Sequence, residues 1–182
     1  MMKKRLVVVL SCTMIATILL SVSILAIRKN QEKEKQKAMT ATLPVFNFRN
    51  IKGNFTDNSQ LKKNTPSVFI AFHPECEHCQ YEAKSIKEKQ YELQNTNIVL
   101  FTSAGDSLTK AFSKTYGIDT LKNVCVIADT TGGMERQFDV QVIPTVFIYN
   151  AQNQLVKRFN GETKIEAILK YADPSVSLSI KQ

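Results

Sequence analysis

Two cysteines three positions apart can act in turn on one sulfur–sulfur bond, and this chain holds one such pair, Cys76-Glu77-His78-Cys79. The pair directly follows an apolar run, Val68-Phe69-Ile70-Ala71-Phe72. It directly precedes a stretch with Cys79, Ala83, Ile86 and Leu93 at helical spacing. A helix N-terminus has unpaired N–H groups and a partial positive charge, both of which favour thiolate over thiol. The placement therefore predicts an exposed, activated Cys76, with Cys79 one turn further on and pointing at the same place. One thiolate can attack a disulfide, and the second can resolve the mixed disulfide that forms. Structural zinc usually needs four ligands. Here His73, Cys76, His78 and Cys79 crowd into one short segment and no second cysteine pair exists, so no metal and no cofactor are expected. The polar neighbours Glu75, Glu77, His78 and Gln80 favour an exposed pair over two inert core cysteines.

The elements that must hold this pair alternate. Short apolar runs at 68–72, 98–101, 124–128 and 145–149 read as strands buried on both faces. Leu155-Val156-Lys157-Arg158-Phe159 alternates and reads as an edge strand, joined to 145–149 by a turn at 150–153. Helices are expected over 79–93, over 106–116 with Leu108, Ala111 and Phe112 inward and Gly117 as its stop, and over 163–171. Strands separated by helices imply an α/β fold, a central sheet with helices on both faces. Cys125, in the run 124–128, is expected to be a buried, unreactive thiol.

Length and charge narrow the rest. The chain has 182 residues, about one domain, and a net charge of +8. Residues 1–40 carry 8 Lys/Arg and 2 Asp/Glu, whereas the remainder carries 16 and 14. The folded part therefore lacks the concentrated basic face that nucleic-acid binding requires, and no nucleic-acid partner is expected. Residues 6–27 hold no charged side chain and are flanked by Lys3, Lys4, Arg5 and by Arg28, Lys29. At about 1.5 Å per residue this run spans a hydrocarbon core of about 30 Å, and it exceeds the apolar region of a cleaved signal peptide, about 7–15 residues. The expected organisation is an N-terminal tail 1–5, a transmembrane anchor 6–27, a charged tether 28–41, a folded domain 42–173 and a C-terminal tail 174–182. Cys12 lies within the anchor, in too short an apolar context for a lipid-attachment site. Basic residues near the two ends number 3 before and 5 after the run, a count that taken alone places the C-terminal side in the cytoplasm.

With these residues in view, the chain resembles the thioredoxin superfamily, in particular membrane-anchored thiol–disulfide oxidoreductases of the TlpA/ResA type. The resemblance spans about 42–171. It is carried by Leu43-Pro44-Val45-Phe46 as an opening strand motif, by SVFIAFHPECEHC at 67–79, and by Val140-Gln141-Val142-Ile143-Pro144-Thr145. The strand and helix within 97–123 match the insertion typical of that group. The resemblance implies a thioredoxin-like mixed sheet, a redox-active Cys76–Cys79 disulfide, and a cis-Pro144 beside Cys76. The backbone at Ile143 would pair with a substrate chain. Glu82 matches the family's acidic residue after CxxC, and on a helix it shares a face with Cys79, where it could carry a proton to or from that thiol. Implied partners are protein disulfides and an electron-donating thiol protein of the membrane or envelope. The implied location is the inner membrane, single-pass, with the domain on the periplasmic or extracytoplasmic side, against the basic-residue count.

Departures also matter. Glu75 stands where the family usually has Trp, and Ile70 replaces the buried acid of thioredoxin itself. His78 would stabilise a Cys76 thiolate and make the disulfide more oxidising, whereas Glu75 and Glu77 act with the opposite sign. The adopted reading is a reductant, with an oxidant or isomerase of the same fold as the alternative. A Sco-like copper-binding assembly factor is a further alternative, although such proteins use CxxxC and a distant His. A redoxin-type thiol peroxidase would carry Thr or Ser three residues before its cysteine, where this chain has His73.

Overall fold

The computed structural model describes the backbone of residues 2–173 and the side chains of residues 14–173 other than 16, 33 and 36. The expected tail 174–182 lies outside the described residues. The chain divides into two units, Met1–Ala38 and Met39–Gln182. Helix α1 (Met2–Ala41) includes the whole described backbone of the first unit. Along it Leu19, Leu20, Val22 and Leu25 are exposed, and Lys37 Nζ lies 2.7 Å from Glu34 Oε1 in the charged stretch. Among the described residues no helix is long and apolar enough to cross a membrane. The first part of the expected anchor, 6–13, lies outside the described side chains.

In the second unit the central sheet is built of β3 (Ser67–Ala71), β4 (Asn97–Thr102), β5 (Val124–Ala128), β6 (Thr145–Tyr149) and β7 (Leu155–Asn160), after a small antiparallel ribbon of β1 (Asn47–Arg49) and β2 (Phe55–Asp57). The sheet order is β5-β4-β3-β6-β7. Strands β3, β4 and β5 are parallel, while β6 and β7 run antiparallel. Two successive crossovers, through α2 (Glu77–Glu88) and α3 (Asp106–Thr115), progress in the same direction across the sheet. Right-handed connections then lay both helices on one face. On that face Val68, Ile70, Ile98 and Leu100 pack with Cys79, Ala83 and Ile86 of α2, Phe112 of α3, and Ile165 and Ile168 of α5 (Ile165–Ala172). The other face is aromatic and is covered by α4 (Gly133–Gln137) and the segment before β1. There the Phe138 ring lies 5.1 Å from both Phe69 and Phe101 and 5.3 Å from Phe147.

Several sequence expectations need correction. Leu43-Pro44-Val45-Phe46 is not a strand; the first strand begins at Asn47, and Phe46 instead packs its ring 5.5 Å from Phe69. The helix expected to reach residue 93 ends at Glu88, and Leu93 is buried from within a turn. Helix α3 is rotated relative to the expected face: Leu108 and Ala111 are exposed and Thr109, Phe112 and Ser113 are buried. The rotation follows the largest side chain, because Phe112 stacks 4.7 Å from Phe72 and 4.9 Å from Tyr116. Helix α5 starts at Ile165 and not at Thr163. Strand β5 is an edge strand whose first two residues are half-buried, so Cys125 is not the sealed thiol that its apolar neighbours suggested.

Phe138 is fully buried and bridges three ring neighbours, so Phe138→Ala should lower stability by about 3–5 kcal/mol. The exposed Phe55 mutated to Ala should change it by about 0.5 kcal/mol or less. Urea unfolding of the purified chain, followed by tyrosine fluorescence, checks both.

Candidate active site

Strand β3 ends at Ala71, and a five-residue connection delivers Cys76 to the N-cap of α2. The turn is held by the Cys76 N–H donating to the His73 carbonyl at 3.0 Å and by Gln80 Nε2 donating to the Pro74 carbonyl at 3.0 Å. The pair is not exposed as expected: Cys76 is half-buried and Cys79 is buried in the core beneath the sheet face, and both are free thiols. The Cys79 thiol is held well above its usual range, first by burial and then by its proximity to Cys76 and Glu82, with a hydrogen bond to the His73 backbone opposing. An accessible sulfur at a helix N-terminus with a protonated sulfur behind it is the order that sequential attack and resolution require.

The antiparallel register Ala71↔Thr145 places residue 144 at the same sheet end as the CxxC connection. The Ile143–Pro144 peptide bond is cis; Pro144 is buried and Ile143 half-buried. Beneath the pair lies Glu82, 2 % exposed. Its Oε1 accepts from the Thr163 N–H at 2.7 Å, while its Oε2 is buried without a partner. Burial pushes this carboxyl up to about 7, against the Thr163 hydrogen bond. A carboxyl that ionises near neutrality beside a protonated thiol has the properties of a proton carrier. Glu77 is exposed on the first turn of α2, and His78 Nδ1 pairs with Glu162 Oε2.

Cys125 stands apart from this group. It lines a cavity of about 220 Å³ with Asn50, Lys52, Thr56 and Lys122; burial raises its thiol, and Thr56 Oγ1 lies 3.7 Å from its sulfur. Among the described residues no group of three or more His, Cys, Asp and Glu is placed to hold a metal ion.

The model of the AhpC/TSA family matches residues 22–158. The chain belongs to the AhpC/TSA family. Family and fold make it a thioredoxin-like thiol–disulfide oxidoreductase. Among solved structures it is similar to a secreted Mycobacterium tuberculosis disulfide oxidoreductase homologous to E. coli DsbE, at 18% identity and a TM-score of 0.61, covering 70% of this chain and 93% of that one. StoA from Bacillus subtilis is 17% identical with a TM-score of 0.58, covering 73% and 99%. The peroxidoxin BcpB from M. tuberculosis is 16% identical with a TM-score of 0.62, covering 78% and 96%. At such identities the likeness establishes the fold alone. A search of curated proteins returns no match.

Sequence reasoning missed Thr163 and Glu162. Both follow β7, far from CxxC in the chain, and Thr163 acts through its backbone, which leaves no trace in residue type. It also missed that Glu82 would be enclosed, although its spacing from Cys79 was visible.

A carboxyl raised from 4.5 to about 7 keeps a proton in the folded chain that the unfolded chain has already lost. Glu82 therefore costs nothing below about pH 4.5, subtracts stability as pH rises, and reaches its full cost above about pH 7. Urea unfolding at about pH 4 and about pH 8 should show the stability difference between Glu82→Gln and the parent chain moving in favour of the variant by roughly 2–4 kcal/mol.

Proposed function

We propose that this chain is a membrane-anchored thiol–disulfide oxidoreductase whose Cys76–Cys79 pair reduces disulfides of envelope proteins. The observation that carries the reading is the half-buried Cys76 at the N-cap of α2 with the buried Cys79 thiol in the first turn of the same helix. The Cys76 thiolate attacks one sulfur of the substrate disulfide, forms a mixed disulfide and releases the other sulfur as a thiolate. Cys79, giving its proton to Glu82, attacks the Cys76 sulfur, closes the Cys76–Cys79 disulfide and releases the second substrate sulfur as a thiolate, which takes a proton from water. Two electrons pass to the substrate, and a donor dithiol protein of the membrane or envelope restores the pair. Pro144 and the Ile143 backbone, at the sheet end that carries the CxxC connection, would receive the substrate chain, and His78 and Glu77 would set the field at Cys76.

Anchoring by residues 6–27 is supported by the uncharged run and its basic flanks, and by exposed apolar side chains such as Leu19, Leu20 and Leu25. The domain is placed on the extracytoplasmic side because a cytoplasm already kept reducing leaves an anchored reductase little to do. Deleting 6–27 should release the chain from membranes into alkaline carbonate, whereas the full chain stays with the pellet.

Cys76→Ser should bring insulin disulfide reduction down to the uncatalysed rate, and Cys79→Ser should accumulate a mixed disulfide with substrate through Cys76. Full activity of Cys76→Ser would overturn the reading. The likeness to a peroxidoxin favours peroxide reduction as a second reading. Rapid consumption of hydrogen peroxide by the dithiol form, with insulin left intact, would select it.

A further inference from the structure

Three consecutive residues after β7 each hold a different part of the site. The Gly161 N–H donates to the Pro144 carbonyl at 2.8 Å, and the Thr163 N–H donates to Glu82 Oε1 at 2.7 Å. Between them, Glu162 sets its carboxylate against the His78 imidazole at Nδ1, across 84 positions of sequence. The register Thr145↔Asn160 brings this segment alongside the Pro144 connection. Gly161 turns the chain there with φ +94°, a backbone angle that side-chain-bearing residues rarely adopt. The segment is thus fixed at its neighbours on both sides, and the carboxylate between them is held where the first turn of α2 presents His78.

We propose that Glu162 is a positioning residue that lowers the reduction potential of the Cys76–Cys79 pair by holding and neutralising His78. The inference rests on the redox reading above. A free imidazolium inside CxxC would stabilise the Cys76 thiolate, and with it the dithiol, making the pair an oxidant. A carboxylate bound to that ring opposes any positive charge the ring carries and fixes its orientation. The remaining carboxylates near Cys76 in sequence, Glu75 and Glu77, are exposed and act with the same sign as Glu162. The sum favours the disulfide and therefore a pair that gives its electrons away. Glu162 thus adds to the reducing side of the opposition that residue types alone left balanced.

The side chains of His78 and Glu162 are 65% and 40% exposed, so solvent screens the pair and the effect is modest. In the detergent-solubilised full chain equilibrated with glutathione redox buffers at about pH 6, Glu162→Gln should shift the thiol–disulfide equilibrium about two- to fivefold toward the dithiol. Since tenfold corresponds to 29.6 mV for two electrons, this is a rise of about 10–20 mV. Glu162→Asp should return part of the shift, and raising the ionic strength to about 1 M should shrink it. In a His78→Gln background, Glu162→Gln should have less effect than in the parent chain. A reversible pair whose potential ignores Glu162→Gln, or moves equally with and without His78, overturns this inference alone. Failure of the parent chain to form a reversible Cys76–Cys79 disulfide overturns the oxidoreductase reading and this inference with it.

Discussion

The antiparallel pairing of β3 with β6, in the register Ala71↔Thr145, is the constraint from which the rest of the site follows. Both strands are buried on both faces, so a slip of one residue would exchange two tightly filled apolar layers. With the register locked, β3 hands the chain to the CxxC connection at the sheet end where Pro144 delivers it to β6. Pairing of β6 with β7 then carries Gly161 to the same place. Segments more than sixty residues apart in the chain converge because two ladders of backbone hydrogen bonds leave them no other position.

Two buried carboxyls show how this scaffold assigns different tasks to one functional group. Burial raises Asp129, but Thr131 Oγ1 at 2.6 Å and the Met134 N–H at 2.9 Å outweigh it, and its pKa is lowered. That carboxylate is structural, closing the turn into α4. Glu82 receives one backbone hydrogen bond and keeps an unpartnered oxygen, so burial prevails. A buried carboxylate with its hydrogen bonds satisfied keeps its charge, whereas a partly satisfied one holds its proton to higher pH.

Much of the architecture was legible because it depends on local pattern. Unbroken apolar runs such as 145–149 cannot be half-solvated, and Gly117 stops α3 because it takes a positive φ of 65°. The errors fell where a neighbour decides. Whether Leu108 and Ala111 turn inward with Phe112 depends on Phe72 being there for Phe112 to pack against, and whether Cys125 is sealed depends on its strand lying at the sheet edge. The ribbon of β1 and β2 was missed because strands of three residues are too short to show a period.

By itself the sequence determined which atoms are available for chemistry: two thiols one helical turn apart, a carboxyl on the same helix face, and an imidazole between the sulfurs. Spacing along a helix is a local property, and neighbouring side chains cannot alter it. Only the tertiary structure decided what those atoms are worth. The enclosure of Glu82, the backbone N–H of Thr163 aimed at it, and the carboxylate of Glu162 on His78 all arise from residues brought back by the β6–β7 pairing. Proton affinity and thiolate stability depend on solvent exclusion and on nearby charge, which are set through space by groups distant in the chain.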